Sequence, residues 1–145
     1  MTENPSELTI TRELPATPDA AFRAYVEPEQ FVRFWGPVGT HVEPSTVTIE
    51  PRVGGRYDST LTIDATGDEY PMRSRITDIR PGELIALVEE GVGMSSTLTF
   101  RDLGDGRTEV VLHQTEVPAM YCGPEARAGL DSSFDRLVEH LAARG

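Results

Sequence analysis

The sequence predicts an α+β fold: a curved antiparallel sheet of about six to seven strands wrapped around one long C-terminal helix, with two short helices after the first strand. Three observations predict it. Residues 42–117 are strand-patterned segments separated by short Gly- and Pro-containing turns, which implies consecutive antiparallel strands. Residues 124–144 place apolar side chains at spacings of three and four, so one helical face is built for burial. Ahead of the sheet, two proline-opened segments end at Gly36-Pro37, a pair that stops a helix.

Leu8 to Leu14 alternates, with Leu8, Ile10 and Leu14 on one parity, and Pro15 ends the strand. Thr17-Pro18-Asp19 supplies an N-cap and a proline at the first helical position for a helix running to Val26. Pro28 opens a second helix, to about Phe34. Val42–Glu50 is read as one strand with Val47 and Ile49 on one parity. Arg56–Ile63 carries Tyr57, Leu61 and Ile63, and a turn containing Gly67 leads into the longer strand Tyr70–Arg80. Pro81-Gly82 closes that strand, and the dense apolar run Leu84–Glu89 follows. Ser96–Arg101 and Thr108–Val117 flank the turn Gly104-Asp105-Gly106. In the final helix Ala126, Leu130, Phe134, Leu137, Val138 and Leu141 share a face, with the charged residues mainly elsewhere.

The chain has 145 residues, which suits one domain with its core between about residues 8 and 141. Its net charge of -11 makes nucleic acid an unfavourable partner, and an anionic membrane surface equally so. The acidic excess is spread along the chain and reads as solubility. A single cysteine, Cys122, has no internal disulfide partner, which fits a reducing cytoplasm. No apolar run approaches the ~20 residues of a membrane span. His41, His113 and His140 stand at no metal-ligand spacing, so neither a metal nor a cofactor is expected.

Phe34-Trp35-Gly36-Pro37 and then Pro51-Arg52-Val53-Gly54-Gly55-Arg56-Tyr57 are the most distinctive segments. Asp78-Ile79-Arg80-Pro81, Gly106-Arg107-Thr108 and Phe134-Asp135-Arg136-Leu137 follow in order. This series resembles the helix-grip superfamily of START and Bet v 1-like (SRPBCC) domains, in the branch named after the C-terminal domain of the activator of Hsp90 ATPase (AHSA1-like). The resemblance spans Leu8 to Leu141. It departs from the family pattern where Leu130 rather than Trp follows Gly129, and where Gln114 stands in place of a late-strand His. Ala86 and Val88 also stand where the family often has large aromatics. If their parity faces inward, the space between sheet and helix is enlarged.

The resemblance implies an apolar cavity between sheet and last helix, in members that bind lipids, hormones or polyketides, or act as cyclases or aromatases. Cavity-lining candidates are Phe31, Trp35, Tyr57, Tyr70, Met72, Ala86, Val88, Leu112, Gln114, Leu130 and Phe134. Phe31, Phe34 and Trp35 serve a core equally well, and Met72, Met94 and Met120 serve as packing or as an adaptable wall. Tyr57 and Tyr70 offer hydroxyl groups. Strict alternation sends His113 outward and Gln114 inward, and sends Arg73 and Arg75 to solvent. His41 and His140 read as exposed. Glu43, Asp64, Glu69 and Glu116 are carboxylates that a strand could turn inward, and Tyr121-Cys122 sits where a lid would be.

The function expected is binding of an apolar small molecule, lipid or aromatic and polyketide-like, in a cavity of at least ~300 Å³. The alternative is a cyclase, aromatase or dehydratase drawing on Gln114, His113, Tyr57 or Tyr70 for acid-base chemistry. A third reading, from the family name, is a cochaperone acting on Hsp90. An exposed sheet edge also offers a route to a homodimer.

Overall fold

A computed structural model describes residues 7–91, 93–117 and 124–144. Strand β1 (Leu8–Leu14) leads into helices α1 (Pro18–Val26) and α2 (Pro28–Phe34). Then come β2 (Thr40–Val42), β3 (Thr48–Ile49), β4 (Arg56–Ile63), β5 (Glu69–Arg80), β6 (Leu84–Glu89), β7 (Ser95–Gly104) and β8 (Arg107–Thr115). Helix α3 (Pro124–Arg144) closes the described chain. Seven strands lie in the order β1-β8-β7-β6-β5-β4-β2, every pairing is antiparallel, and β3 adds to β4. This is the α+β helix-grip arrangement, with α3 on the inner face of the curved sheet.

The local signals act as their chemistry requires. The Thr17 hydroxyl accepts from the Ala20 amide at 3.2 Å, capping α1. At Gly36 a side chain would drive into Leu61, and at Gly55 it would lie 2.1 Å from the Glu50 carbonyl oxygen. Gly55 is therefore a steric requirement of the fold, and Gly36, at φ +93°, a conformational one. The segment Val42–Glu50 is not one strand. Pro44 has no amide to offer a ladder, and Pro44–Thr46 turns as a short 3-10 helix between β2 and β3. The Thr46 hydroxyl fixes that turn by donating to the Glu43 carbonyl at 2.7 Å.

The core fills the space between the inner sheet face and the helices. Ile10, Leu14, Ile76, Ile85, Val110 and Leu137 are fully enclosed there with Phe31 and Phe34. Tyr25, Phe31, Phe34, Trp35 and Tyr57 form a continuous group of edge-to-face and stacked rings. Fully burying a side chain of this size stabilises by about 1.5–3 kcal/mol, so this cluster dominates the fold's energetics.

Two polar fastenings hold α3. The Arg136 guanidinium donates to the carbonyls of Gly36 (2.9 Å), Pro37 (3.2 Å) and Thr40 (3.3 Å), gathering the loop after α2. Arg12, on the inner parity of β1, bonds Asp135 at 2.7 Å and the Asp131 carbonyl at 3.2 Å. His140 is not solvated as the sequence suggested. It stacks on Phe34, and its Nε2 lies 2.9 Å from the Gln30 carboxamide oxygen. That oxygen only accepts, so Nε2 carries the hydrogen.

Candidate functional site

The inner face of the sheet is defined by register. On β4 it is Tyr57, Ser59 and Leu61; on β5, Met72, Ser74 and Ile76; on β6, Ile85, Leu87 and Glu89; on β7, Ser96, Leu98 and Phe100; on β8, Val110, Leu112 and Gln114. Cross-strand partners project from the same side, so these side chains form rows facing α3.

Ala86 and Val88 do not belong to it. They alternate with the buried Ile85 and Leu87, and their partners Asp78 and Arg75 are on the outer side. They therefore enlarge no inner space. Tyr70 shares the inner parity, but it is 51% exposed and stands at the rim. Tyr57 is buried and its hydroxyl donates to the Tyr25 carbonyl at 2.5 Å, so it is committed to the core. Burial raises the pKa of both tyrosines, Tyr57 further through Tyr25. Phe31, Leu112 and Phe134 are also enclosed core residues, whereas Trp35, Met72, Gln114 and Leu130 remain partly exposed. Trp35 stacks on Phe31 with ring centroids 4.7 Å apart.

His113 points outward and contacts Glu7 at 3.1 Å, while Gln114 points inward and donates to the Ser96 hydroxyl at 3.1 Å. Arg73 and Arg75 are exposed on the outer face, where Arg75 pairs with Glu90. His41 is exposed between Asp64 and Glu43. The Asp64 hydrogen bond chiefly raises its pKa. Glu43, Asp64, Glu69 and Glu116 are all exposed, so none is an inner carboxylate. Met120, Tyr121 and Cys122 lie outside the described residues. Among the described residues no group of His, Cys, Asp and Glu is arranged to hold a metal ion.

The inner carboxylate is instead Glu89, which the sequence reading passed over. It is the cross-strand partner of Ser74, which is in turn the partner of Tyr57. Desolvation raises its pKa above the usual carboxylate value. Its side chain makes no hydrogen bond or ion pair with the described residues. Ser59 and Ser74 add two hydroxyls. These residues are only 5% and 7% exposed. Their hydroxyls have no partner among the described residues, yet no buried side-chain polar atom there is left unsatisfied. Both hydroxyls therefore keep some contact with solvent on the inner face.

Helix α3 makes its main backbone approaches to α2 and β1, not to β4–β6. Gly129 lies against the loop after α2, where a Cβ would meet the Pro37 ring at 3.3 Å. The arrangement is a half-open, apolar-walled face with Ser59, Ser74 and Glu89 as its unengaged polar groups. No described helix is long and apolar enough to cross a membrane.

Comparison with known proteins locates the chain. The family model described as "Activator of Hsp90 ATPase homolog 1-like protein" matches residues 15–142. No curated protein matches. Among solved structures, a protein from Chromobacterium violaceum is similar at TM-score 0.84 and 23% identity, over 93% of this chain and 96% of that one. A protein from Nitrosomonas europaea gives TM-score 0.85 at 15% identity, over 99% and 98% of the two chains. The AHSA1 protein of Silicibacter pomeroyi gives TM-score 0.80 at 19% identity, over 96% and 99%. At these identities the structures speak for the fold alone, and the family model covers most of the chain. This protein belongs to the activator of Hsp90 ATPase homolog 1-like family.

Proposed function

We propose that this protein binds an apolar small molecule, of the lipid or aromatic-metabolite kind, between the inner sheet face and α3. The observation that carries the reading is the state of Ser59 and Ser74, whose enclosed hydroxyls have no partner among the described residues and still meet solvent. A core filled by side chains leaves such groups paired or removes them. Partly buried Leu61, on the same face of β4 as Ser59, and Trp35, against the Tyr57 ring, supply apolar surface beside them. A mostly apolar concave face with a few polar groups is the usual composition of a small-molecule site.

Titration with long-chain alcohols, flavonoids and aromatic polyketides tests this, reading Trp35 emission and melting temperature together. A ligand at 100 times its Kd adds about 2.7 kcal/mol. For a domain of this size the melting temperature then rises by on the order of 5 to 10 °C. No saturable response across the panel would overturn the reading.

A second reading, a cyclase- or dehydratase-type enzyme, is favoured by Glu89 alone, since a desolvated carboxyl suits a general acid. His113 faces away and the Tyr57 hydroxyl is engaged. All thirteen basic residues are arginine, so no lysine is present for Schiff-base chemistry. Turnover of a polyketide-type substrate that disappears in Glu89→Gln would support this reading; undiminished turnover would refute the role of Glu89. The cochaperone reading has no comparable support. The large exposed apolar side chains among the described residues are Val38, Val53 and Tyr70, on three separate segments.

A further inference from the structure

Polarity on the inner face is concentrated at the end of β6 and the middle of β5 opposite it. Tyr57, Ser74 and Glu89 stand in one cross-strand row. Tyr57 spends its hydroxyl on the Tyr25 carbonyl, and in the neighbouring row Ser96 and Gln114 satisfy one another. Ser74 and Glu89 are left side by side, their side chains without partners among the described residues. Ser74 is 93% buried, being 7% exposed, and its hydroxyl keeps only a small contact with solvent on the inner face.

The charges available to answer Glu89 are few. The inner strand rows contain one arginine, Arg12 on β1, and it is already held by α3 through Asp135 and the Asp131 carbonyl. Three strand spacings separate β1 from β6 in the sheet, about 14 Å. Arg56 and Arg75 are nearer in the chain, but they project from the opposite face and are paired with Glu90. An occupant of this end therefore meets a carboxylate and a hydroxyl, and the described inner strand rows offer it no free arginine.

We propose that the molecule held on the inner face is an amphipathic amine, its protonated nitrogen donating to the Glu89 carboxylate and the Ser74 hydroxyl while its apolar body lies along Met72, Leu87 and Leu130. This rests on the binding reading above and assigns the ligand its chemical class. A desolvated, unpaired carboxylate is unfavourable by itself, and a charge-assisted hydrogen bond from an ammonium is what relieves it. A carboxylate-headed lipid at the same place sets like charges together with nothing to separate them. The raised pKa of Glu89 accords with this, since it records a carboxyl without a counter-charge.

The test uses three molecules of equal chain length below their micellar concentrations at pH 7: n-decylamine, decan-1-ol and decanoate. A parallel series on a naphthyl body covers aromatic ligands. Calorimetry gives the affinities for the wild type, for Glu89→Gln and for Glu90→Gln, which removes the same charge one residue away on the outer face. The amine is expected to bind about tenfold or more tighter than the carboxylate. Glu89→Gln should reduce that ratio to within about twofold while the alcohol still binds. Glu90→Gln should preserve the ratio. A carboxylate that binds as well as the amine overturns the proposal. So does a preference that survives Glu89→Gln, or one that falls equally in Glu90→Gln, because the overall charge of -11 would then be its source. In those cases binding of the alcohol leaves the small-molecule reading standing. Absence of binding by every member of both series overturns both.

Discussion

Two adjacent glutamates at the end of β6 experience opposite electrostatics. Glu90 projects to the outer face, where Arg56 and Arg75 meet it at 2.9 and 3.1 Å. Hydrogen bonds from Arg56, and then charge from Arg56 and Arg75, hold its carboxyl below the ordinary value. Glu89 projects to the inner face, where burial without a partner pushes its carboxyl up. One residue type in consecutive positions thus carries two chemistries, and the pleat of the strand separates them. The outer face is a lattice of ion pairs that solvent largely screens. The inner face holds nearly all the apolar burial and the few unengaged polar groups.

Substitutions on the two faces sharpen this contrast. The largest difference is expected within one dipeptide. Ile76→Ala empties a fully enclosed inner position and should cost about 2–5 kcal/mol, measured by denaturant unfolding. Arg75→Ala, its neighbour on the outer face, should stay within about 1 kcal/mol. Comparable costs would mean that the two faces are not energetically distinct.

A smaller effect, opposite in sign between the two sites, is expected for the glutamates. The raised folded-state pKa of Glu89 means that stability present below its ordinary value of 4.5 is lost as pH rises through the raised value. The lowered pKa of Glu90 means that its contribution is present above 4.5 and is lost as pH falls through the lowered value. At pH 7, then, Glu89→Gln should melt above the wild type and Glu90→Gln below it. On acidification the Glu89→Gln advantage should vanish first, before the Glu90→Gln deficit. Melting curves from pH 3 to 7 that shift in the same direction for both variants would contradict the assignment of the two faces. The smallest effect is expected for Ser74→Val. The hydroxyl it removes has no protein partner, so stability should change by less than about 1 kcal/mol. A loss of several kcal/mol would place Ser74 in a bonded network.

Much of the fold was legible because its boundaries rest on local chemistry. Leu8–Leu14, Arg56–Ile63, Leu84–Glu89 and Pro124–Arg144 have the limits that proline, glycine and periodicity suggest. Val42–Glu50 was misread because Val47 and Ile49 alternate convincingly while Pro44 withholds the amide a ladder needs. The site was less legible. Leu84-Ile85-Ala86-Leu87-Val88 is apolar on both parities, so alternation does not say which side is buried. The register irregularity between Ile76 and Asp78 removes the help of the neighbouring strand. Fixing Ile85 and Leu87 as inner would have exposed Glu89 at once, as the next residue of that parity. Without that, it is one carboxylate among 24 acidic side chains. His140 was misplaced by its neighbour Glu139, although it lies three residues after Leu137 and so borders the buried stripe.

Arg12 has a consequence beyond fastening α3. It lies on the inner parity of β1, a terminal strand of the sheet, and its charge is committed to the helix of its own chain. Inward-pointing charges on terminal strands obstruct the docking of a foreign strand. At the opposite end the terminal strands are β2 and β3, of three and two residues. Such short strands present few free amides and carbonyls for strand addition. Both margins of the sheet are thus built against growth by strand pairing.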